Sequence, residues 1–476
     1  MAGREQKLMD EQQVFAPPLG SLLRRAPVVC PETMTVEEAV RLMAAERVGS
    51  VIVVDAAGRP VGILTEHDMV RVLNQELRAR AVAEVMTRDP VALPAHALAY
   101  EAALAMAENN IRHVLVMQEG RLAGVVSERD LFSLQRLGLA ELTMEIRLAA
   151  DAGLLARLAG EIRRLTVRLV EQGVAPERLT LFVSVLNDRL SQRVIEVVRK
   201  RHGWERIGWC WLAFGSEGRL EQTFSSDQDN GLVFESHDRS SPAHARSMVI
   251  PFAREVNEAL DACGFPLCKG NVMASNPELC LSLEEWQAKM GGWLDNSDPQ
   301  ALLDAAICFD FRPLAGDERL AQALRAWLLP LTRARPAFLR LMAQNALAAK
   351  PALGLLGDFA TEDGAVNLKL QGARLFVDAA RVYALGLGLA HTGTAERLRA
   401  AAGELRMAPL EMAAIVEAFF YVQKLRLRMQ ASPQVRPESA NRLDPATLNA
   451  FERRSLKEAL RQARKLQQRL ALDYGL

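Results

Sequence analysis

Asp227 and Asp229 stand one residue apart in the stretch FGSEGRLEQTFSSDQDNGLVF, Phe214 to Phe234, just before the apolar run GLVF. In extended chain, residues i and i+2 point to one face. Two carboxylates on one face repel unless a cation neutralises them. A hard divalent cation with oxygen ligands, Mg2+ above all, suits that arrangement and bridges to substrate phosphates. Gly215-Ser216 comes twelve positions ahead of Asp227, directly after the apolar run WCWLAF. Glycine permits close backbone approach. Backbone N–H groups and the Ser216 hydroxyl can hold a triphosphate there while the carboxylates hold metal on it. Composition alone leaves a plain alternative, in which SSDQDN is a solvated turn.

A second set of chemistry-bearing residues is repeated. Thr65 and Asp68 in VGILTEHD correspond to Ser127 and Asp130 in AGVVSERD, and Gly62 to Gly124, each pair 62 positions apart. Each hydroxyl stands where a helix N-cap belongs and each acid three positions later, as in a capping box. The same hydroxyl and acid also suit the phosphates and ribose of a nucleotide at a helix start.

The elements that must position these residues follow from periodicity. Both repeats read as amphipathic helix, apolar strand, glycine turn, second strand and another helix. The first copy carries one extra turn residue, DAAGRP against MQEGR. Around the aspartates, WCWLAF and GLVF read as strands, GRLEQTF as the start of a short helix, and PLCKGNVMA (Pro266 to Ala274) as a later strand. From Leu139 to Gly203 the spacing is helical, with Leu154, Leu155, Leu158, Ile162, Leu165 and Leu169 on one stripe. After Gly316 several helices suggest a bundle. Asp378, Arg381, Arg426 and Gln430 fall on them, placed either to pair between helices or to touch a ligand.

The repeat VGILTEHD and AGVVSERD, with PVVCPETMTVEEA and DPVALPAHALAYEA ahead of the two copies, resembles the cystathionine-beta-synthase (CBS) domain. Members pair two copies into one module, and many bind AMP, ADP or ATP in the cleft. The resemblance gives Thr65, Asp68, Ser127 and Asp130 a role at such a nucleotide, and implies a homodimer through the modules. GSEGRLEQTFSSDQDN resembles the nucleotidyltransferase superfamily, whose signature is Gly-Ser followed by D-x-D. It is most similar to the domains that follow CBS pairs in bacterial signalling proteins, relatives of the uridylyltransferase that modifies the P-II protein. DRLSQRVIEVV, CKGNVMASNPELCLSLEEW, FDFRPLAGDERL, Asn367-Leu-Lys369 and LFVDAARVYAL extend the likeness over nearly the whole chain.

That resemblance implies a nucleoside triphosphate substrate, Mg2+, and a protein or small-molecule acceptor attacking the α-phosphorus. Asp227 and Asp229 become metal ligands and catalytic residues, and Gly215 and Ser216 hold the β- and γ-phosphates. Arg219 and Lys269 are assigned to phosphate by charge alone. The superfamily's third carboxylate has no counterpart in PLCKGNVMA. Asp310 is the substitute, with pairing to Arg312 as its alternative role. The rival to transfer is a catalytically inactive nucleotide-sensing protein.

The expected fold is α/β plus α, in six segments. These are a tail (1–19), two CBS domains (20–80 and 81–138), a helical connector (139–203), a small mixed-sheet nucleotidyltransferase domain (204–315) and a C-terminal helical domain (316–476). Lys plus Arg and Asp plus Glu both number 58, so no global field favours nucleic acid or an anionic membrane. The last helix, Phe451 to Leu472, leans basic, which reads as a solvated face. The six cysteines form no CxxC pair and the histidines no HxxH or HxxxH pair. A reducing cytoplasm therefore fits better than disulfides or a histidine metal site. No apolar run reaches membrane-spanning length.

Overall fold

The computed structural model describes residues 18–476, apart from 24, 67, 69–78, 110, 129, 131–138, 205–206, 237–240, 297, 355–356, 433 and 437–438. Most of the 1–19 tail, the second helix expected in each repeat and part of the loop from Pro433 thus lie outside the described residues. The chain divides into two compact units between Met144 and Glu145.

The first unit opens with α1 (Leu19–Leu22). Strands β1 (Val29–Pro31), β2 (Ser50–Val54), β3 (Pro60–Thr65) and β4 (Thr87–Arg88) form one sheet in chain order, with α2 (Val36–Glu46) between β1 and β2. Strands β5 (Ala92–Pro94), β6 (His113–Gln118) and β7 (Arg121–Ser127) form the second sheet, with α3 (Ala99–Asn109) between β5 and β6. In both copies the first strand runs parallel to the second and the second antiparallel to the third. Helix α2 starts where the Thr35 side chain accepts from Glu38 N and Glu38 reaches back, a capping box worth about 1 kcal/mol.

Val51, Val53 and Leu64 pack with Ala39 and Met43, and Val114, Val116 and Val126 pack with Ala102 and Met106. Ile52, Ile63 and Leu115 join the two copies. The matched glycines have a packing reason. A Cβ on Gly62 would stand 2.2 Å from Met86 Sδ, and one on Gly124 2.4 Å from Leu23 Cδ2.

The division falls within α4 (Leu139–Leu148), and the second unit goes on with α5 (Ala152–Glu171) and α6 (Pro176–Arg199). Then come β8 (Ile207–Ala213), α7 (Gly215–Gly218), β9 (Asn230–Ser236), α8 (Pro242–Ala262), β10 (Cys280–Ser282), α9 (Leu283–Asp295), α10 (Pro299–Cys308) and β11 (Arg312–Gly316). The sheet order is β10-β9-β8-β11, parallel between β10 and β9 and antiparallel elsewhere, which makes it a mixed sheet. Helices α11 (Glu318–Arg333), α12 (Pro336–Ala348), α13 (Arg374–Leu387), α14 (Thr394–Ala401), α15 (Pro409–Ala431) and α16 (Ala450–Asp473) complete the chain, with the short pair β12 (Val366–Asn367) and β13 (Arg442–Leu443).

One core runs through this unit, from Phe214 and Trp286 at the sheet through Phe309 and Phe338 to Phe376 and Phe419 among the C-terminal helices. The segment expected as a connector belongs to the same unit from Glu145 onward. Helix α5 buries Leu155, Leu158, Ile162, Leu165 and Leu169, the stripe that the spacing marks. Helix α6 is tied to the sheet region by Asn187 Nδ2 donating to Gln222 Oε1 at 3.2 Å and Gln192 Nε2 to Leu314 O at 2.8 Å. The basic face of α16 is partly committed within the fold, since Lys457 pairs with Asp358. Among the described residues, no helix is long and apolar enough to cross a membrane.

Candidate nucleotide and metal site

Strands β8 and β9 are antiparallel neighbours, Ala213 opposite Asn230, and the excursion between them carries the motif. Phe214 N donates to Asp229 O at 2.8 Å, which brings Gly215 against Asp229. Gly215 has φ +53°, and a Cβ there would lie 2.6 Å from Asp229 Oδ2. Glycine is therefore demanded twice, by the left-handed backbone and by the carboxylate beside it. The helical turn is Gly215–Gly218, not GRLEQTF as the sequence suggests.

Asp227 and Asp229 precede β9 in irregular chain, and with Cys268 their ligand atoms lie within 4.8 Å of one another. Cys268 Sγ donates to Asp229 Oδ1 at 3.4 Å. Burial, and then the charge of Asp227, push the Asp229 carboxyl up to about 6, and the Cys268 thiol, Lys369 and Arg219 act against them. Among the described residues, neither aspartate makes an ion pair with an Arg or Lys. Two carboxylates crowded together without a cationic partner, with a glycine backbone against one of them, form a donor set that fits a divalent cation.

Residues 266–274 form no strand. The strand beside β9 is β10, Cys280–Ser282, and 265–275 is a loop whose polar groups bond to buried amides. Gln228 Nε2 donates to Asn257 O and Phe265 O at 2.9 and 2.8 Å, and Asn257 Nδ2 to Gln228 Oε1 and Asn230 Oδ1 at 2.7 and 3.0 Å. Ala274 N and Ser275 N donate to Asn230 Oδ1 and Asn257 Oδ1. This network holds the loop on the start of β9. Sequence reasoning missed Cys268, Gln228, Asn230 and Asn257. The available signal for Cys268 was its setting among Pro, Lys, Gly and Asn, unlike the apolar surroundings of most other cysteines. Lys269 is exposed in the same loop. Lys369, also exposed, lies near enough for its charge to act on Asp229.

Asp310, expected as the substitute third carboxylate, lies outside the group formed by Asp227, Asp229 and Cys268 and is held by arginines. It is fully buried, and its oxygens accept from Arg219 Nη1 at 2.8 Å, Arg381 Nη2 at 2.7 Å and Arg397 Nη1 at 2.6 Å. Burial alone would raise this carboxyl, but Arg381, Arg397 and Arg219 together hold it well below the usual carboxylate range. Both oxygens thus accept from arginines. Its alternative pairing with Arg312 is also not formed, because Arg312 bonds Asp188 at 2.6 Å. Arg219, assigned to phosphate by charge, pairs with Asp310 and with Glu221 at 2.9 Å, and its charge also acts on Asp229. Asp378 pairs with Arg374 and Arg381, while Arg426 and Gln430 bond Asn441. These four residues therefore make contacts within the fold.

Glu217 is buried beside the motif. Burial first, then the charge of Asp188, raise its carboxyl to about 8, against the opposing charge of Arg312. In the first unit, Thr65 N and Oγ1 donate to Asp68 Oδ2 at 2.9 and 2.7 Å, and Ser127 N and Oγ to Asp130 Oδ2 at 2.9 and 2.5 Å. Each hydroxyl and acid is thus joined locally, as the capping reading expects. Burial lowers the His113 imidazole, while Asp130, Glu66 and Asp68 raise it, so acids of both copies act on one ring.

Comparison with known proteins supplies a context for this geometry. Residues 160–300 match the family described as "Putative nucleotidyltransferase DUF294" and residues 336–474 the "Putative nucleotidyltransferase substrate binding domain". Residues 19–75 and 82–136 match the CBS domain. A CBS domain-containing protein of Arabidopsis thaliana is 34% identical over 99 residues, covering 20% of this chain and 18% of that protein. A 17.7 kDa protein of Acidianus ambivalens is 33% identical over 99 residues, covering 21% of this chain and 60% of its own length. The chain thus spans about a fifth of one relative and three fifths of the other. A CBS domain protein of Pyrobaculum aerophilum, solved in complex with AMP, is 33% identical with a TM-score of 0.24, covering 26% of this chain and 98% of that one.

Proposed function

We propose, on the premise that this chain joins a CBS-domain pair to a nucleotidyltransferase-like domain of the DUF294 type and its substrate-binding domain, that it transfers a nucleotidyl group from a nucleoside triphosphate to an acceptor hydroxyl. The observation that carries this reading is the apposition of Gly215 and Asp229, with Asp227 alongside. Asp227 and Asp229 would hold Mg2+ or a similar divalent cation, and Gly215 and Ser216 would hold the β- and γ-phosphates. Such an ion, when bound, neutralises charge on the phosphoryl oxygens. Lys269 and Lys369, exposed at the site's margin, add positive charge for a polyanion. The acceptor oxygen bonds to the α-phosphorus as the bond to the bridging oxygen breaks, pyrophosphate leaves and the hydroxyl proton passes to solvent. The acceptor is a protein or small molecule, in the manner of the P-II uridylyltransferases. The CBS pair binds AMP, ADP or ATP at Thr65, Asp68, Ser127 and Asp130 and regulates transfer, in a cytoplasmic protein that dimerises through these modules.

The test uses labelled nucleoside triphosphates, Mg2+ and a cell extract, with the intact chain beside Asp227→Ala/Asp229→Ala. Label transfer by the wild type and none by the variant is expected. Nucleotide binding without any transfer would overturn the enzyme reading. It would favour a catalytically inactive nucleotide sensor, a reading to which the burial of Asp310 gives some weight.

A further inference from the structure

Cys268 has no task in the reading above, yet the fold goes to some length to place it. Its loop is fixed on both flanks. Gln228 N donates to Pro266 O at 3.0 Å and Asn230 N to Val272 O at 3.1 Å, while the buried amides of Gln228, Asn230 and Asn257 take Phe265 O, Ala274 N and Ser275 N. Asn271 turns the chain within it at φ +56°. Of the six free cysteines, the other five are buried and only Cys268 is half-exposed. Its sulfur stands 3.4 Å from Asp229 Oδ1. A thiolate about 2.3 Å and a carboxylate oxygen about 2.1 Å from one shared ion lie roughly 3.1 to 3.6 Å apart, for ligand angles between right and tetrahedral. The observed separation falls inside that window, and Asp227 completes the group within 4.8 Å.

We propose that Cys268 Sγ is the third protein ligand of the cation held by Asp227 and Asp229, and that its sulfur selects a borderline transition metal of the Zn2+ or Co2+ kind over Mg2+. The inference rests on the reading that the two aspartates hold metal. It follows from ligand softness, because carboxylates alone suit Mg2+ and Mn2+, whereas one thiolate in the set favours metals with affinity for sulfur. As the metal–sulfur bond forms, the thiol proton is released to solvent. The loop thereby takes the place of the third carboxylate that its sequence lacks.

The experiment titrates Co2+ into the intact chain and follows sulfur-to-cobalt charge-transfer absorption in the near ultraviolet. Competition with Zn2+ and Mg2+ then gives the affinities. Wild type, Cys268→Ser, Cys268→Asp and Asp227→Ala/Asp229→Ala are compared. The band is expected in the wild type and absent in Cys268→Ser. That variant should bind Zn2+ and Co2+ at least about tenfold more weakly while its Mg2+ affinity stays within about twofold, and Cys268→Asp should shift preference toward Mg2+. Cobalt bound without the band, with affinities unchanged in Cys268→Ser, would overturn thiol ligation and leave the aspartates' metal role standing. Equal loss of Zn2+ and Mg2+ in Cys268→Ser would mark the residue as structural and also overturn the proposal. Identical cobalt binding by the wild type and the double aspartate variant would overturn both the proposal and the reading beneath it.

Discussion

Glu217 follows Gly215-Ser216 and is raised by burial from an ordinary carboxyl value of 4.5 to about 8. Between those limits the folded chain keeps a proton that the unfolded chain has released. The unfolded state therefore binds fewer protons, and stability falls as pH rises through that window, levelling off above about 8 and below about 4.5. A single proton limits the slope to about 1.4 kcal/mol per pH unit. Glu217→Gln keeps the shape and removes the titration. Urea denaturation at pH 5 and pH 8 should show the variant gaining on the wild type at the higher pH, and parallel curves would count against a buried neutral acid. At this scale the aspartate pair was legible because its chemistry is written in adjacent positions. Cys268 was not, since it reaches Asp229 from a distant loop and local spacing carries no trace of that approach. The arginine surroundings of Asp310 were hidden for a related reason. Its acidity was visible, but the guanidinium groups of Arg381 and Arg397 come from helices far along the chain.

The elements show where periodicity informs and where it fails. The duplicated CBS pattern could be read because each copy repeats the same strand and helix alternation, and its parallel and antiparallel pairings recur in the structure. PLCKGNVMA looked like a strand by composition, but Gln228, Asn230 and Asn257, rather than a neighbouring strand, bond the backbone at its ends. The opposite outcome occurs around Asp310, where the turn after α7 and the helices α13 and α14 converge on one anion. Removing its charge by Asp310→Asn leaves buried Arg397 without a carboxylate and Arg219 and Arg381 with only Glu221 and Asp378. Breaking a buried ion pair from one side commonly costs about 3 to 5 kcal/mol. Urea denaturation should record a loss of that order, and a change below about 1 kcal/mol would show that Arg219, Arg381 and Arg397 find other partners.

At the scale of the whole molecule, the amphipathic stripe of α5 declared that one face is buried but not against what. The segment therefore read as a connector, whereas from Glu145 it is part of the second compact unit. The first unit gives a separate prediction in the intact chain. AMP, ADP or ATP should protect the backbone at Thr65 and Ser127 from hydrogen exchange, and Asp68→Ala/Asp130→Ala should abolish the effect. Saturation at a hundredfold excess over Kd stabilises a binding state by about 2.7 kcal/mol, enough for a slowing of exchange to be measured. Unaltered protection in the variant would remove those two acids from the ligand site. The arginine-ringed Asp310 also bears on how this protein can be recombined. A chimaera joined near Gly316 would inherit the carboxylate and Arg219 from one parent and the positions of Arg381 and Arg397 from the other. Unless the incoming helices bring guanidinium groups to the same two places, the hybrid leaves its buried carboxylate with Arg219 alone. Exchange of the whole unit Glu145–Leu476 would keep Asp310 and its three arginines together.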